Sequence, residues 1–221
     1  MDISFKQYAL LAELFGYPEE DFRLKVREVQ EYLDREYPQA GEILLPFTEL
    51  ISRISRTAQE ELFTRTFDVQ AITTMDLGYV LFGDDYKRGA ILVNLNREHR
   101  DAGNDCGNEL ADHLPNVLRL LAKMKKPELR VELVQKIVSP ALRKINNEFD
   151  PRKIEQKNKI YHKHHRTLLE RPENFGTIYQ FPIKAVYTVL NDDFGSAPVE
   201  IRPHASNFLK SVGREMNLET E

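Results

Sequence analysis

Apolar residues recur at helical spacing along most of the chain. The first stripe contains Phe5, Tyr8 and Ala12, and it ends at a Gly-Tyr-Pro sequence. Further stripes with the same period follow, and the strongest extends from Leu110 to Met124. Apolar side chains three or four positions apart lie on one face of an α-helix, which then packs against other elements. The pattern therefore predicts a protein built from amphipathic helices.

Two local sequences predict where this helical pattern starts or bends. Thr57 and Glu60 form a capping box, in which the Thr57 hydroxyl accepts a hydrogen bond from the Glu60 amide. Pro140 lies inside the apolar stripe from Leu129 to Ile145, and it lacks the amide that a helix interior needs. We therefore expect one helix to begin next to Thr57 and another to bend at Pro140.

The strongest stripe is preceded by Asp112 and His113, with Leu114 and Pro115 in its first turn. The Asp112 carboxylate could accept a hydrogen bond from the Leu114 amide, while Pro115 has no amide to leave unpaired. The sequence predicts that Asp112 caps this helix. It also predicts an exposed His113 beside Asp112, whose negative charge would favour the protonated imidazole.

The C-terminal part of the chain fits two kinds of element. Apolar residues alternate from Tyr179 to Val189 as in a β-strand, but Pro182 at a first helical turn fits a helix equally well. Because a single strand without a partner is only marginally stable, we predict an all-α fold. A single-domain helical bundle would cover residues 1–195, and residues 196–221 would form a less regular C-terminal tail.

Composition limits the class of protein. Of the 221 residues, 41% are hydrophobic and 30% are charged, fractions typical of a globular protein that buries its own core. Cys106 is the single cysteine, so no disulfide can form within the chain and a reducing compartment fits. The N-terminus lacks a secretory signal pattern, and no stretch approaches the roughly 18 apolar residues of a spanning helix. We therefore expect a cytoplasmic protein without membrane insertion.

Opposite charges are concentrated in different parts of the chain. Acids predominate in residues 68–112 and bases in residues 119–171, although the net charge is only −4. Such segments can attract partners of opposite sign, or they can be solvated helix faces. A helical nucleic-acid-binding protein that uses the 119–171 segment is therefore an alternative. Its bases are spread around the helices, and Phe149 and Tyr161 are the only stacking aromatics there, which argues against it.

Motifs of catalysis are missing from the sequence. It contains no phosphate-binding glycine-rich loop, no Gly-x-Ser-x-Gly elbow and no His-Glu-x-x-His zinc motif. The acid next to Cys106 would raise the pKa of its thiol and so disfavour a nucleophile. His162, His164 and His165 are surrounded by bases that repel a cation, so a solvated helix face fits better than a metal site. We expect no enzyme activity, no catalytic residue and no bound metal.

Three short motifs follow one another in residues 62–124. The first, an aromatic-Thr-x-x-Phe-Asp sequence, is matched by Phe63, Thr64, Phe67 and Asp68. The second, Gly-Asp after one helix and Arg-Gly at the start of the next, is matched by Gly83, Asp84, Arg88 and Gly89. The third, an acid with leucine and then Asp-His-Leu-Pro, is matched by Glu109, Leu110, Asp112, His113, Leu114 and Pro115.

This succession resembles the nitrate reductase delta-subunit family and the related TorD-like chaperones that mature molybdoenzymes. The resemblance covers somewhat more than a quarter of the chain well. Ala111 stands where the family usually has proline, and residues 78–80 stand where it has histidines. A TorD-like helical bundle is the fold that the resemblance implies.

The function that the resemblance implies is that of a system-specific cytoplasmic chaperone. Such a protein binds the N-terminal or twin-arginine signal segment of a molybdopterin-containing catalytic subunit, as in nitrate reductase or a related dimethyl-sulfoxide-reductase-type enzyme. It holds that subunit for cofactor insertion and assembly. The chaperone carries no cofactor itself, whereas its client carries molybdopterin guanine dinucleotide and an iron–sulfur cluster. It would be a monomer or a homodimer, and no nucleic acid is expected as a partner.

A site for such a client needs an apolar groove for an amphipathic segment and acids for its arginines. The acidic segment and its interleaved apolar residues supply both. The candidate client-binding residues are Phe67, Asp68, Tyr79, Phe82, Asp84, Arg88, Glu109, Asp112, His113, Leu114 and Pro115.

Overall fold

The computed structural model describes residues 5–165 and 176–195, and it confirms the all-α fold class. Within these ranges no strand occurs, and β pairing is limited to an isolated bridge between Asp76 and His113. The helices, in chain order, are α1 (Gln7–Ala12), α2 (Phe22–Glu36), α3 (Pro38–Arg53), α4 (Arg56–Phe67), α5 (Leu77–Phe82), α6 (Tyr86–Asp101), α7 (Leu114–Lys123), α8 (Pro127–Leu133), α9 (Ser139–Asn147), α10 (Pro151–His165) and α11 (Gln180–Phe194).

The described chain forms two compact units. The first unit contains residues 5–12, 76–141 and 194–195, and the second contains residues 13–75 and 142–193 with the gap at 166–175. The predicted tail, residues 196–221, lies outside the described residues. A single domain over residues 1–195 stays a prediction.

In the first unit, α1 packs against α7. The predicted stripe is confirmed from Leu114 onward, since Leu114, Val117 and Leu121 are completely buried. Its first residue, Leu110, lies before α7 and is 48% exposed, so that end of the predicted stripe is wrong. Leu11 of α1 is buried to the same extent. These helices form because apolar residues at helical spacing can leave water only when their two faces meet.

The irregularity predicted at Pro140 takes the form of a π-helical turn, Val134–Val138, between α8 and α9. Proline has no amide to donate, and its ring clashes with the carbonyl four residues earlier, here that of Lys136. A widened turn relieves this conflict while the chain remains helical. Val134, Ile137 and Val138 stay buried, so the apolar face continues through the turn.

In the second unit, α2 and α3 pack on each other. Their polar contact is organised by the buried Gln30, whose amide group donates to the Gly41 carbonyl at 3.0 Å and to Asp34 at 2.7 Å. The Thr48 hydroxyl donates to the Gln30 oxygen at 2.8 Å. A buried amide whose donors and acceptor are satisfied fixes the register of the two helices.

The start of α4 differs from the prediction. Ser55, not Thr57, is the N-cap, and its hydroxyl oxygen accepts a hydrogen bond from the Ala58 amide at 3.2 Å. The predicted capping box at Thr57 and Glu60 is therefore wrong. Glu60 instead accepts from the Arg56 side chain at 2.7 Å, because the helix has already begun at Arg56.

Residues 180–194 form helix α11, which decides between the two readings of this segment in favour of a helix. Directly before it, Tyr179 lies in an aromatic cluster of the second unit. The Tyr179 ring contacts Phe47 and Phe67 edge-on, with centroid distances of 5.1 and 5.0 Å, and Phe63 at 6.1 Å. Such tilted arrangements are the favourable ones for aromatic rings. Phe67 is therefore a core residue.

We expect Tyr179→Phe to stabilise the protein by about 1 kcal/mol. The Tyr179 hydroxyl is fully buried and has no hydrogen-bond partner among the described residues, and burial raises its pKa. Removing an unsatisfied buried group removes its desolvation cost. As a matched control, Tyr37→Phe deletes a hydroxyl that donates to Asp193 at 2.8 Å, and it should cost about 1 kcal/mol. Urea unfolding measures both, and a destabilised Tyr179→Phe would contradict this account.

Candidate functional site

Helices α5 and α6 of the first unit carry the second motif. Gly83 ends α5 with φ of 62°, a conformation that favours glycine. Asp85 then caps α6, because its side chain accepts a hydrogen bond from the Lys87 amide at 2.9 Å.

Arg88, in the first turn of α6, is the centre of a partly buried ion-pair cluster. Its Nε donates to Asp112 Oδ2 at 3.2 Å, and its Nη2 donates to Asp76 Oδ2 at 2.9 Å. The Tyr79 ring lies against the guanidinium, 5.3 Å from centroid to Cζ. Burial alone would lower the pKa of Arg88, but the charges of Asp112 and Asp76 outweigh it and raise the pKa. We call Asp76, Gly78, Tyr79, Arg88 and Asp112 the Arg88 cluster.

Asp112 does not cap α7, which corrects the prediction from sequence. His113 is the N-cap residue, and no side chain supplies the cap hydrogen bond. The Asp112 carboxylate instead accepts from the Gly78 amide at 3.1 Å, and the Asp112 carbonyl accepts from the Leu77 amide at 3.0 Å. Both donors are amides at the N-terminus of α5, which have no acceptor within the helix itself. A negative charge is favourable at this end of a helix. Asp112 therefore caps α5 from a distant part of the chain.

Gly78 allows the close approach between α5 and Asp112. A Cβ at this position would lie 2.7 Å from Asp112 Oδ2 and 3.2 Å from Arg88 Cγ. Both distances are shorter than ordinary van der Waals contacts, and Asp112 is completely buried. The requirement for glycine here follows from the carboxylate that it contacts.

A buried polar network holds the loop that presents Asp112. His99 Nε2 lies 2.9 Å from the Ala111 carbonyl oxygen, and its Nδ1 lies 2.9 Å from the Asn104 amide nitrogen. Asn116 Nδ2 donates to the Cys106 carbonyl at 3.2 Å and to the Leu110 carbonyl at 3.1 Å. A neutral ring that donates from Nε2 and accepts at Nδ1 satisfies both of its contacts. Burial lowers the pKa of His99, and the positive Lys123 adds to this.

We expect the free energy of unfolding to fall as the pH is lowered below the ordinary histidine pKa of 6.5. The folded His99 has a lowered pKa, so below that value the unfolded chain binds more protons and protonation favours unfolding. One such ring contributes at most about 1.4 kcal/mol for each pH unit. Urea unfolding of the wild type and of His99→Gln at pH 7.5 and 5.5 measures the effect. Equal losses in the two proteins would contradict it.

His113 is largely shielded from solvent, with 12% of its side chain exposed. Its Nδ1 lies 3.1 Å from Glu109 Oε2. Burial lowers the pKa of His113, and the negative charges of Glu109, Asp76 and Asp112 offset this only in part. The prediction of an exposed, protonated His113 is therefore wrong. The loss of hydration lowers its pKa by more than the neighbouring acids raise it.

The remaining candidate residues fall into two groups. In the first unit, Tyr79, Asp84 and Glu109 are exposed and Phe82 is half-buried, whereas Leu114 and Pro115 are buried in α7. In the second unit, Phe67 is buried and Asp68 is exposed at the end of α4. The structure thus brings Tyr79, Arg88, Glu109, Asp112 and His113 together. Their role in binding a client stays a prediction.

Several residues near the Arg88 cluster were missed from the sequence. Asp76 and Gly78 belong to the cluster, and an acid directly before the apolar helix α5 was the available signal. Tyr86 and Val93 are 69% and 71% exposed on α6. Their spacing of seven residues places them on one face of the helix, apart from the buried Ile91. We call Tyr79, Phe82, Tyr86 and Val93 the α5–α6 surface.

No group of three or more histidine, cysteine or acidic side chains among the described residues could hold a metal ion. Burial, and then the charge of Asp105, raises the pKa of Cys106, as the sequence predicted. The side chains of His162, His164 and His165 lie outside the described part. None of the helices described is both long and apolar enough to cross a bilayer.

Comparison with known proteins finds a relative among the molybdoenzyme assembly chaperones. It is the probable nitrate reductase molybdenum cofactor assembly chaperone NarJ of Bacillus subtilis (strain 168), which is 27% identical over 174 residues. The alignment covers 76% of this chain and 89% of the relative. The resemblance to the molybdoenzyme maturation chaperones is confirmed. No family model matches the chain.

The similarity to NarJ is much longer than the three motifs that first indicated it. The motifs lie in residues 62–124, whereas the alignment extends over 174 residues. It therefore includes sequence outside the motif region, which short motif matches could not have established.

Proposed function

We propose that this protein is a cytoplasmic assembly chaperone of a molybdopterin-containing oxidoreductase, with a nitrate reductase as the first candidate client. It binds the N-terminal or signal segment of the catalytic subunit. It holds that subunit while molybdopterin guanine dinucleotide and the iron–sulfur cluster are inserted. The observation that carries this proposal is the similarity to NarJ over 76% of the chain.

The α5–α6 surface supports a peptide-binding role. Tyr79, Tyr86 and Val93 are large apolar side chains with 43%, 69% and 71% of their area exposed. Exposed apolar groups on two helices that contact each other favour a partner that covers them. Asp84 and Glu109 are exposed acids in the same unit and suit a basic amphipathic segment. An affinity near micromolar, about −8 kcal/mol, would allow both holding and release.

Binding without catalysis fits the chemistry of the described site. The two aspartates of the Arg88 cluster are engaged in ion pairs, and the raised pKa of Cys106 keeps its thiol protonated near neutral pH. A carboxylate that is stabilised by a guanidinium is a weaker base, and a protonated thiol is a weak nucleophile. We propose that the protein acts by binding alone and holds no cofactor.

The basic segment gives little support for nucleic-acid binding. Lys153 and Lys157 both contact Glu148, at 2.7 and 2.8 Å, and Lys159 contacts Glu155 at 2.6 Å. Phosphate binding depends on cations that release counterions when they meet the backbone, and these cations already have acidic neighbours. We therefore do not propose this alternative as the function.

We expect a peptide copied from the N-terminus of the same organism's nitrate reductase catalytic subunit to bind with a Kd of about 1 μM. Tyr86→Ala and Val93→Ala should each weaken it by about tenfold, because each removes exposed apolar area that the peptide covers. Leu45→Ala is the matched control, since Leu45 is 46% exposed on α3 of the other unit. Isothermal titration calorimetry measures all four proteins.

Two results together would refute the proposed function. One is an affinity for this peptide no better than about a millimolar. The other is a nitrate reductase that contains its full molybdenum after the gene for this protein is deleted. A peptide that binds equally well to all four proteins would instead refute the assignment of the α5–α6 surface.

A further inference from the structure

The Arg88 cluster has the composition of a receptor for an arginine side chain. It contains two carboxylates and one half-exposed aromatic ring, and the group between them is the protein's own guanidinium. We propose that Asp76, Tyr79 and Asp112 form a guanidinium-binding cage that Arg88 fills in the free protein. An arginine of the client segment replaces Arg88 there, a step that rests on the proposed function.

The geometry of the cage matches the shape of a guanidinium. Two different nitrogens of Arg88 donate to two different carboxylates, at 3.2 Å to Asp112 and 2.9 Å to Asp76. Tyr79 lies against the guanidinium at 5.3 Å, within the range of a cation–π interaction. A planar fork of donors suits two separate carboxylates and the face of a ring, whereas the ammonium of lysine is a compact point charge that is more strongly hydrated. The cage should therefore select arginine over lysine.

One acceptor of the cage is left over. Asp112 is completely buried, and its Oδ1 has no hydrogen-bond partner among the described residues. An unsatisfied buried acceptor is unfavourable, and it is more so on a charged group. Arg88 thus does not use the whole hydrogen-bonding capacity of the cage. A guanidinium that enters from another direction has five N–H donors with which it could reach this oxygen.

Exchange of one arginine for another avoids the main cost of opening such a site. Leaving a buried carboxylate without a cation is strongly unfavourable. In the exchange, Asp112 keeps a guanidinium throughout, and the released Arg88 side chain gains water. Arg88 is already 17% exposed and Tyr79 is 43% exposed, so the cage can be approached from solvent. The free chaperone would therefore keep its cage closed until an arginine-bearing segment arrives.

The first test empties the cage with Arg88→Ala and refills it with ethylguanidinium. We expect the variant to melt at a lower temperature than the wild type, and low-millimolar ethylguanidinium to restore a large part of the loss. Ethylammonium at the same concentration controls for ionic strength and should restore little. The double variant Arg88→Ala, Asp112→Ala should not respond. An Arg88→Ala protein that responds equally to both cations would overturn the cage.

The second test uses the unmodified protein and so does not depend on the folding of a variant. We expect the NMR signal of the Arg88 Nε–H group to move when the client N-terminal peptide binds. The same peptide with each arginine replaced by citrulline, which is uncharged, should leave that signal in place and bind about tenfold more weakly. If both peptides bind equally and the signal does not move, Arg88 is a structural ion-pair partner and the proposal is wrong.

The two tests separate this proposal from the proposed function. Refilling by ethylguanidinium needs no client, so it can succeed even if no molybdoenzyme peptide binds. In that case the cage stands and the client assignment fails. A peptide that binds through Tyr86 and Val93, with no response of Arg88 and no effect of ethylguanidinium, would support the chaperone function and refute the cage.

Discussion

Asp112→Ala should reduce the free energy of unfolding by about 3–5 kcal/mol, the largest effect that we expect from a single substitution. The variant leaves Arg88, only 17% exposed, with Asp76 as its remaining carboxylate in the cluster. It also removes the acceptor for the Gly78 amide, so α5 loses the side-chain part of its cap. Breaking a buried ion pair by removing one partner costs more than the pair contributes, because a buried charge is left behind.

Urea unfolding at pH 7.5 measures this loss of stability, and two further variants serve as comparisons. Asp84→Ala removes an exposed acid from the same unit and should change stability by less than about 0.5 kcal/mol. Asp112→Asn keeps a carbonyl oxygen for the Gly78 amide but removes the charge. Its cost in stability should therefore lie between those of Asp84→Ala and Asp112→Ala. A loss of less than about 1 kcal/mol for Asp112→Ala would show that water replaces the carboxylate without strain.

Gly78→Ala is expected to destabilise the protein by about 2 kcal/mol, although alanine is the better helix former. The new methyl group would lie 2.7 Å from Asp112 Oδ2 and 3.2 Å from Arg88 Cγ. Asp112 cannot easily move away, because it is completely buried and it binds the Gly78 amide itself. Relief of the contact would therefore break the cap of α5 or the ion pair.

Gly89→Ala is the matched control for this prediction. Gly89 lies inside α6, and a Cβ there meets nothing within 4 Å. Alanine should accordingly stabilise the protein by up to about 1 kcal/mol through helix propensity alone. Opposite signs for the two substitutions in thermal or urea unfolding would support the close contact at Gly78. Stabilisation by both would mean that Asp112 has room to shift.

The Arg88 cluster explains why the second and third motifs occur in one chain. Arg88 comes from the second motif and Asp112 from the third, and the structure joins them through a hydrogen bond of 3.2 Å. Gly78, which precedes both of these residues in the chain, makes room for that carboxylate. The motifs are thus parts of one physical arrangement that is assembled only when the unit folds.

The helices could be predicted from the sequence because the apolar residues on the buried face of a helix recur with the helical period. Leu114, Val117 and Leu121 reveal α7 without any knowledge of its neighbours, since a run of this period has no other compact solution. The resemblance to the chaperone family was equally accessible, because motifs are local. By contrast, the choice between strand and helix at residues 179–190 could not be made locally, since the same apolar residues fit both periods.

Tertiary structure decided what Asp112 and His113 do. Asp112 looked like the cap of the helix that follows it, but its carboxylate accepts from an amide and a guanidinium that lie 34 and 24 positions away in sequence. His113 looked exposed from the sequence, but the fold leaves only 12% of its side chain exposed. A carboxylate or imidazole takes the partners that the fold places around it, and sequence distance does not report those partners. Hydrophobic period therefore determined the helices, whereas long-range contacts determined the Arg88 cluster.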